Sequence, residues 1–135
     1  MVEGAFVSTW DDQAGVFDAF GVGSAKPTFE NGSEDQLNYN PTLRFDGSND
    51  YLGVNRNFPE RNYSQLVVYK TSDANGSLTA ITSPTSPTAG SNDRNFTVGA
   101  GRLTHRLWSE QRLVGGNNLN NDIPHIASLT VENGV

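Results

Sequence analysis

Cysteine is absent from the 135-residue chain, and methionine occurs once. No disulfide, thiol nucleophile or cysteine-ligated zinc can therefore form, and a fold of this length must rest on its packed core. Charged residues are also scarce, at 18%, and glycine, asparagine, serine and threonine fill the polar positions instead. That mixture lacks the Glu, Lys, Ala and Leu of a helical protein and suits short strands joined by turns. The nine basic residues are scattered along a chain of net charge -6 and pI ≈ 4.7. Such a balance argues against a nucleic-acid partner and against a polybasic membrane surface. No run approaches 18 apolar residues, so no segment inserts into a bilayer. The opening Met1-Val-Glu-Gly-Ala-Phe6 lacks the basic and then apolar start of a signal peptide. It runs almost directly into a strand pattern, which leads us to expect an excised piece of a longer surface protein.

What is present reads as β structure throughout. Val2–Trp10 contains an alternating strand pattern, and residues 11–40 form a long loop-like stretch with Phe17, Phe20 and Phe29 as expected core plugs. Thr42–Phe45 and Tyr51–Val54 flank the polar corner Asp46-Gly-Ser-Asn-Asp50, a pattern that predicts a hairpin. Ser64–Lys70 is β-branched and almost continuously apolar, as expected for the middle of a sheet. Ser77–Ile81, Asn95–Gly99, Leu103–Trp108 and Gln111–Val114 are further strands, separated by loops at 83–92 and 115–122. His125–Val131 alternates cleanly, with Ala127, Leu129 and Val131 on one side. No segment has a capped 3.6-residue period. Seven to nine short strands in one domain spanning residues 1–135 predict an all-β antiparallel sandwich.

Two stretches carry a family resemblance. Trp10-Asp-Asp-Gln-Ala-Gly15 and Asn38-Tyr-Asn-Pro-Thr-Leu-Arg-Phe-Asp-Gly-Ser-Asn-Asp-Tyr-Leu52 resemble W-x-D-x-S-G followed by N-x-x-P-x-x-x-F-D-G-x-x-D-Y-L. That pattern opens the concanavalin A-like, LamG-type jelly-roll domains, and the likeness is good over residues 6–54 and looser to Val131. It implies a jelly-roll β-sandwich, a packed Trp10, and a non-catalytic binding or adhesion module at the bacterial cell surface or outside the cell. The implied partners are a glycan or a cell-surface protein. In that family further strands follow the segment like Asn133-Gly134. The expectation here is thus a sandwich incomplete at its C-terminus, completed by a second chain or by self-association.

Four groups of residues are candidates for chemistry. Glycan-hydrolysing relatives carry E-x-D-x-x-E on one strand, where alternation brings carboxylates onto one face about 5–5.5 Å apart. Glutamate occurs here only at 3, 30, 34, 60, 110 and 132, and none begins that pattern. The nearest acidic pair, Glu34-Asp35, is in a loop, so the chain reads as a non-enzyme. Trp108 stands among His105, Arg106, Glu110 and Arg112, a ring with polar neighbours of the kind that stacks on sugars. We therefore take Trp108, Arg106, His105 and Arg112 as candidate ligand contacts. Asp11, Asp12, Asp46 and Asp50 supply oxygens of the type calcium takes, and LamG-like relatives often bind calcium near loop edges. The competing role for Asp46 and Asp50 is to hold their own turn through side-chain-to-backbone bonds. Asn31, Asn62, Asn75 and Asn95 begin Asn-x-Ser/Thr triplets, which a chain this rich in those residues contains by chance. The alternative function is a structural, self-associating module with no sugar site.

Overall fold

The computed structural model describes residues 1–34, 36–54, 62–82, 92–107 and 110–132, apart from the side chains of 80–82, 92–94, 107 and 110–114. Every regular element among them is a strand, and every pairing is antiparallel: the protein is all-β. No described helix is long and apolar enough to cross a membrane. The chain divides into two compact units, Met1–Arg56 and Asn57–Val135.

The first unit is built from very short strands. β1 (Thr9–Trp10) pairs with β2 (Ala19–Phe20), and β3 (Thr28–Glu30) pairs with β4 (Thr42–Arg44). Residues 4–7 run beside 27–29, with Val7 N–H donating to the Pro27 carbonyl at 2.9 Å and Phe29 N–H to the Ala5 carbonyl at 2.9 Å. On β3 and β4, Thr28 Oγ1 donates to Glu30 Oε1 at 2.7 Å, and Arg44 Nε stands 3.7 Å from the same oxygen.

The expected hairpin between Thr42–Phe45 and Tyr51–Val54 does not form. Asp46 Oδ1 accepts the N–H groups of Ser48, Asn49 and Asp50, while Asp50 Oδ2 accepts the Asp46 N–H. The flanks pair elsewhere, Thr42–Arg44 with Thr28–Glu30 and Gly53 with Phe20, while the carboxylates hold the turn itself. Gly47 lies at φ 73°, the left-handed region that glycine enters cheaply. Downstream, Gly53 exchanges two backbone bonds of 2.9 Å with Phe20. The expectation of a packed Trp10 also fails, since it is 39% exposed. Phe17 and Phe20 are 41% and 49% exposed, so they do not plug a core. Among the described residues, the fully buried side chains of this unit are Val7 and Pro27, with Phe29 half-buried.

The second unit contains two sheets around one core. β5 (Tyr63–Tyr69) and β10 (His125–Val131) form a two-stranded pair, with Tyr63 opposite Val131 and Tyr69 opposite His125. β6 (Asn75–Thr82), β7 (Asn92–Gly99), β8 (Arg102–Leu107) and β9 (Glu110–Gly115) form a four-stranded meander in chain order. Alternation turns Tyr63, Val67 and Tyr69 of β5, and Ala127, Leu129 and Val131 of β10, to the same side. There they pack with Phe96, Val98, Leu78 and Leu103 of the meander. Two bonds also cross from sheet to sheet: Tyr63 Oη with His105 Nε2 at 3.2 Å, and Thr79 Oγ1 to Gln65 Oε1.

β5 is not the buried central strand that its apolar run suggests. Among the described residues its one ladder partner is β10, and Leu66 and Val68 face outward at 71% and 53% exposure. The outward neighbour of Val68 is Ile126, itself exposed. β7 and β8 are joined by the two-residue loop Ala100-Gly101, both at positive φ (49° and 74°), the geometry that matches strand twist in a tight hairpin. A register shift beside Leu78 leaves that residue outside the β6–β7 ladder. It turns toward the core, as a bulge permits.

Candidate ligand-binding face

Period-two alternation gives the four-stranded sheet two distinct faces. Phe96 and Val98 of β7 are 1% exposed and belong to the core. Their ladder partners on β8, His105 and Leu103, share that inner side. Asn95 and Thr97 therefore lie on the outer face, with Arg102, Thr104 and Arg106 of β8. Ser77 of β6, paired with Thr97, joins them.

A hydroxyl row crosses this outer face. Ser77 pairs with Thr97, and the Thr97 and Thr104 hydroxyls share a 2.5 Å hydrogen bond. Thr104 is buried, although it points away from the core. In the next row Asn95 stands opposite Arg106, and Asn95 Oδ1 is buried without a hydrogen-bond partner. Arg102 and Arg106 are exposed. Among the described residues this face exposes the side chains of Ser77, Arg102 and Arg106, while the Thr104 side chain and Asn95 Oδ1 are buried.

The sequence candidates separate on this framework. Arg106 lies on the outer face. His105, the adjacent residue, lies on the inner one: it is buried at 4% exposure and bonded to Tyr63. It ties the two sheets together, a correction that follows from its pairing with buried Phe96 on β7. Arg112 pairs with His105 through the backbone, but its side chain lies outside the described residues, as does all of Trp108. Asn95, Thr97, Thr104, Arg102 and Ser77 were not singled out from the sequence as ligand contacts. Their signal was the alternation of Thr, Asn and Arg against Phe, Val and Leu along β7 and β8.

The acidic candidates act on their own loops. Asp12 Oδ1 accepts the Ala14 N–H at 2.9 Å, Oδ2 accepts the Phe17 N–H at 3.4 Å, and the Asp12 N–H donates to Asp18 Oδ1 at 2.9 Å. The Asp11 carbonyl accepts from Gln13 Nε2 at 3.3 Å. The N–H groups of Ser48 and Asn49 hold the Asp46 carboxyl below its ordinary value of 3.8. No group of three or more His, Asp or Glu side chains among the described residues is arranged to hold a metal ion. The Asp12, Asp46 and Asp50 carboxylates accept backbone N–H groups of their own loops, whereas Asp11 bonds, among the described residues, only through its carbonyl.

His125 lies at the far end of β10, its Nε2 2.9 Å from Asn121 Oδ1 and its ring 5.6 Å from that of Tyr69. Burial raises the Tyr69 hydroxyl above its ordinary value of 10.0, and that oxygen has no hydrogen-bond partner. An open hollow of about 540 Å³ is lined by Asn62, Tyr63, Ser64, Thr130, Val131 and Glu132. The Tyr63 hydroxyl is turned away from this hollow toward His105.

No protein-family model matches the chain, and no curated protein or solved structure is significantly similar to it.

Proposed function

We propose that this protein is a non-catalytic recognition module that binds glycan, or a glycan-bearing cell-surface partner, on the outer face of β6–β9. The carrying observation is the exposed polar group Ser77, Arg102 and Arg106, with half-buried Thr97 and Asn95 between them, on a sheet whose other side is a packed core. A hydroxyl and two guanidinium groups exposed on a sheet backed by a core suit shallow, hydrogen-bonded recognition. The resemblance of residues 6–54 to LamG-type domains supports the same reading, as does the two-sheet layering of the second unit. The layering is compatible with a jelly-roll sandwich, and the resemblance alone carries the expectation of a bacterial surface or secreted protein. The non-catalytic character rests on the lack of an E-x-D-x-x-E strand in the sequence.

A glycan array tests the proposal. Binding to a subset of glycans that falls when Asn95 and Thr97 are replaced by alanine, with the strand content unchanged by circular dichroism, is the expected result. A clean negative across neutral and charged glycans would remove it.

The second reading is a self-associating structural module, and one observation favours it. Leu66, Val68 and Ile126 form an exposed apolar group on the outward side of β5–β10. Sedimentation that shows concentration-dependent dimers, abolished by Leu66→Lys, would support that alternative.

A further inference from the structure

Asparagine precedes glycine at residues 31–32, 75–76 and 133–134, and the first two pairs open the same triplet, Asn-Gly-Ser. Such a pair can modify itself: the glycine nitrogen attacks the asparagine side-chain amide, and no glycine β-carbon obstructs the approach. We infer that Asn31 is a self-modification site, converted in the folded protein to aspartate and isoaspartate through a succinimide, with Gln36 activating its amide. Asn75, in the same triplet, is protected by its strand. Asn133-Gly134 lies outside the described residues.

The two triplets differ in backbone and not in exposure, since Asn31 and Asn75 are both exposed. Asn75 opens β6, where Gly76 pairs with Val98. The Ala100 N–H donates to the Ala74 carbonyl at 2.8 Å, which makes those two residues a hydrogen-bonded pair. Alternation makes Gly76 and Val98 the next such pair, so the Gly76 N–H is taken up by the ladder. Ring closure there requires breaking that bond and turning the strand out of its extended form. Asn31 lies in the loop after β3, and the Gly32 N–H makes no hydrogen bond among the described residues.

The Asn31 side chain is also held for the reaction. Gln36 Nε2 donates to the Asn31 carbonyl at 2.9 Å and to Asn31 Oδ1 at 3.3 Å. One nitrogen reaches both oxygens, which folds the side-chain amide alongside the Asn31–Gly32 peptide. The same donor stabilises the negative charge that gathers on Oδ1 during attack. From the other side the Glu3 carboxylate holds the Asn31 N–H. Solvent base removes the Gly32 amide proton, the nitrogen bonds to Asn31 Cγ, and Nδ2 leaves as ammonia with a proton from water. Water then opens the ring at Cγ to give aspartate, or at the Asn31 carbonyl carbon to give isoaspartate. The net change consumes one water and releases one ammonia, with no redox step.

The test incubates the full chain at mildly alkaline pH, folded and in urea. Each Asn-Gly peptide is followed by mass spectrometry, with isoaspartyl methyltransferase labelling. In the folded chain Asn31 is expected to convert at least about tenfold faster than Asn75, and in urea the two identical triplets at similar rates. Gln36→Glu keeps the shape and removes the donor; it is expected to slow Asn31 several-fold with the circular dichroism spectrum unchanged. Gln36→Ala repeats the comparison without the added charge. Equal rates in the folded chain, faster loss at Asn75, or a preference for Asn31 that persists in urea overturns the inference. Unchanged or faster conversion in both Gln36 variants overturns the activation by Gln36.

Discussion

Replacing Phe96 with alanine tests whether the two sheets of the second unit share one core. Phe96 is 1% exposed and packs among residues of β5, β10 and the meander, so its ring is surrounded by both sheets. Deleting a fully buried phenylalanine costs the transfer energy of the ring plus the cavity it leaves, about 3–5 kcal/mol. Small domains have total stabilities of roughly 5–15 kcal/mol, so most of the margin would go. For a unit of about 60–100 residues each kcal/mol moves Tm by roughly 4–8 °C, which places the Phe96→Ala transition at least about 12 °C below wild type. Urea unfolding followed by far-ultraviolet circular dichroism supplies the matching free energy. Leu66→Ala is the control: it shortens a side chain of similar hydrophobicity on the outward face of β5 and should cost less than about 0.5 kcal/mol. If Phe96→Ala does not fold, Phe96→Leu still separates the two positions. Equal small effects at 96 and 66 would refute the shared core.

Tyr63→Phe deletes the hydroxyl bonded to His105 and should cost about 1–2 kcal/mol in urea unfolding, with the strand signal retained. Ala100→Gly should raise stability by up to about 1 kcal/mol, because a β-carbon at φ 49° is strained in a left-handed turn; a lower Tm would count against the turn geometry. Asp46→Asn should lower Tm at neutral pH, since the carboxylate holds three successive N–H groups. Its folded value lies below the ordinary 3.8, so the stabilisation is present above that pH and lost as pH falls through the folded value. The gap between wild type and variant should therefore be constant near neutrality and close in strong acid. A gap that widens on acidification would contradict the assignment. Tyr69 carries the opposite sign: its raised value makes its stabilising contribution complete below pH 10.0 and lost as pH rises through the folded value. Tyr69→Phe should thus flatten the alkaline limb of the stability curve.

The second unit was largely legible from its sequence. In β10 the alternation of Ala127, Leu129 and Val131 with Ile126, Ser128 and Thr130 gave both the strand and its inner face. β5 was found as a strand but misplaced within its sheet, because Leu66-Val67-Val68 is apolar on both sides and its neighbours decide which side is covered. β8 shows the limit from the other direction. Leu103-Thr-His-Arg106 has too few apolar residues to set the phase of its alternation. The phase comes from β7, where Phe96 and Val98 must be buried and draw His105 and Leu103 inward with them. For that reason His105 looked like a surface group beside Arg106, and Thr97, Asn95 and Arg102 passed unnoticed as partners. In the first unit the polar corner at 46–50 was found correctly as a turn. The expected bonding of Asp46 and Asp50 to the turn's own backbone is present, but no spacing rule shows that Thr42–Arg44 pairs back with Thr28–Glu30 rather than across the turn.

The most direct test of the recognition face is a backbone-amide NMR titration of the full chain with an oligosaccharide that the array selects. Shifts concentrated at Asn95, Thr97, Arg102, Thr104 and Arg106 and saturating with ligand are the result expected. Shifts confined to β5 and β10, or none at any ligand concentration, would contradict it.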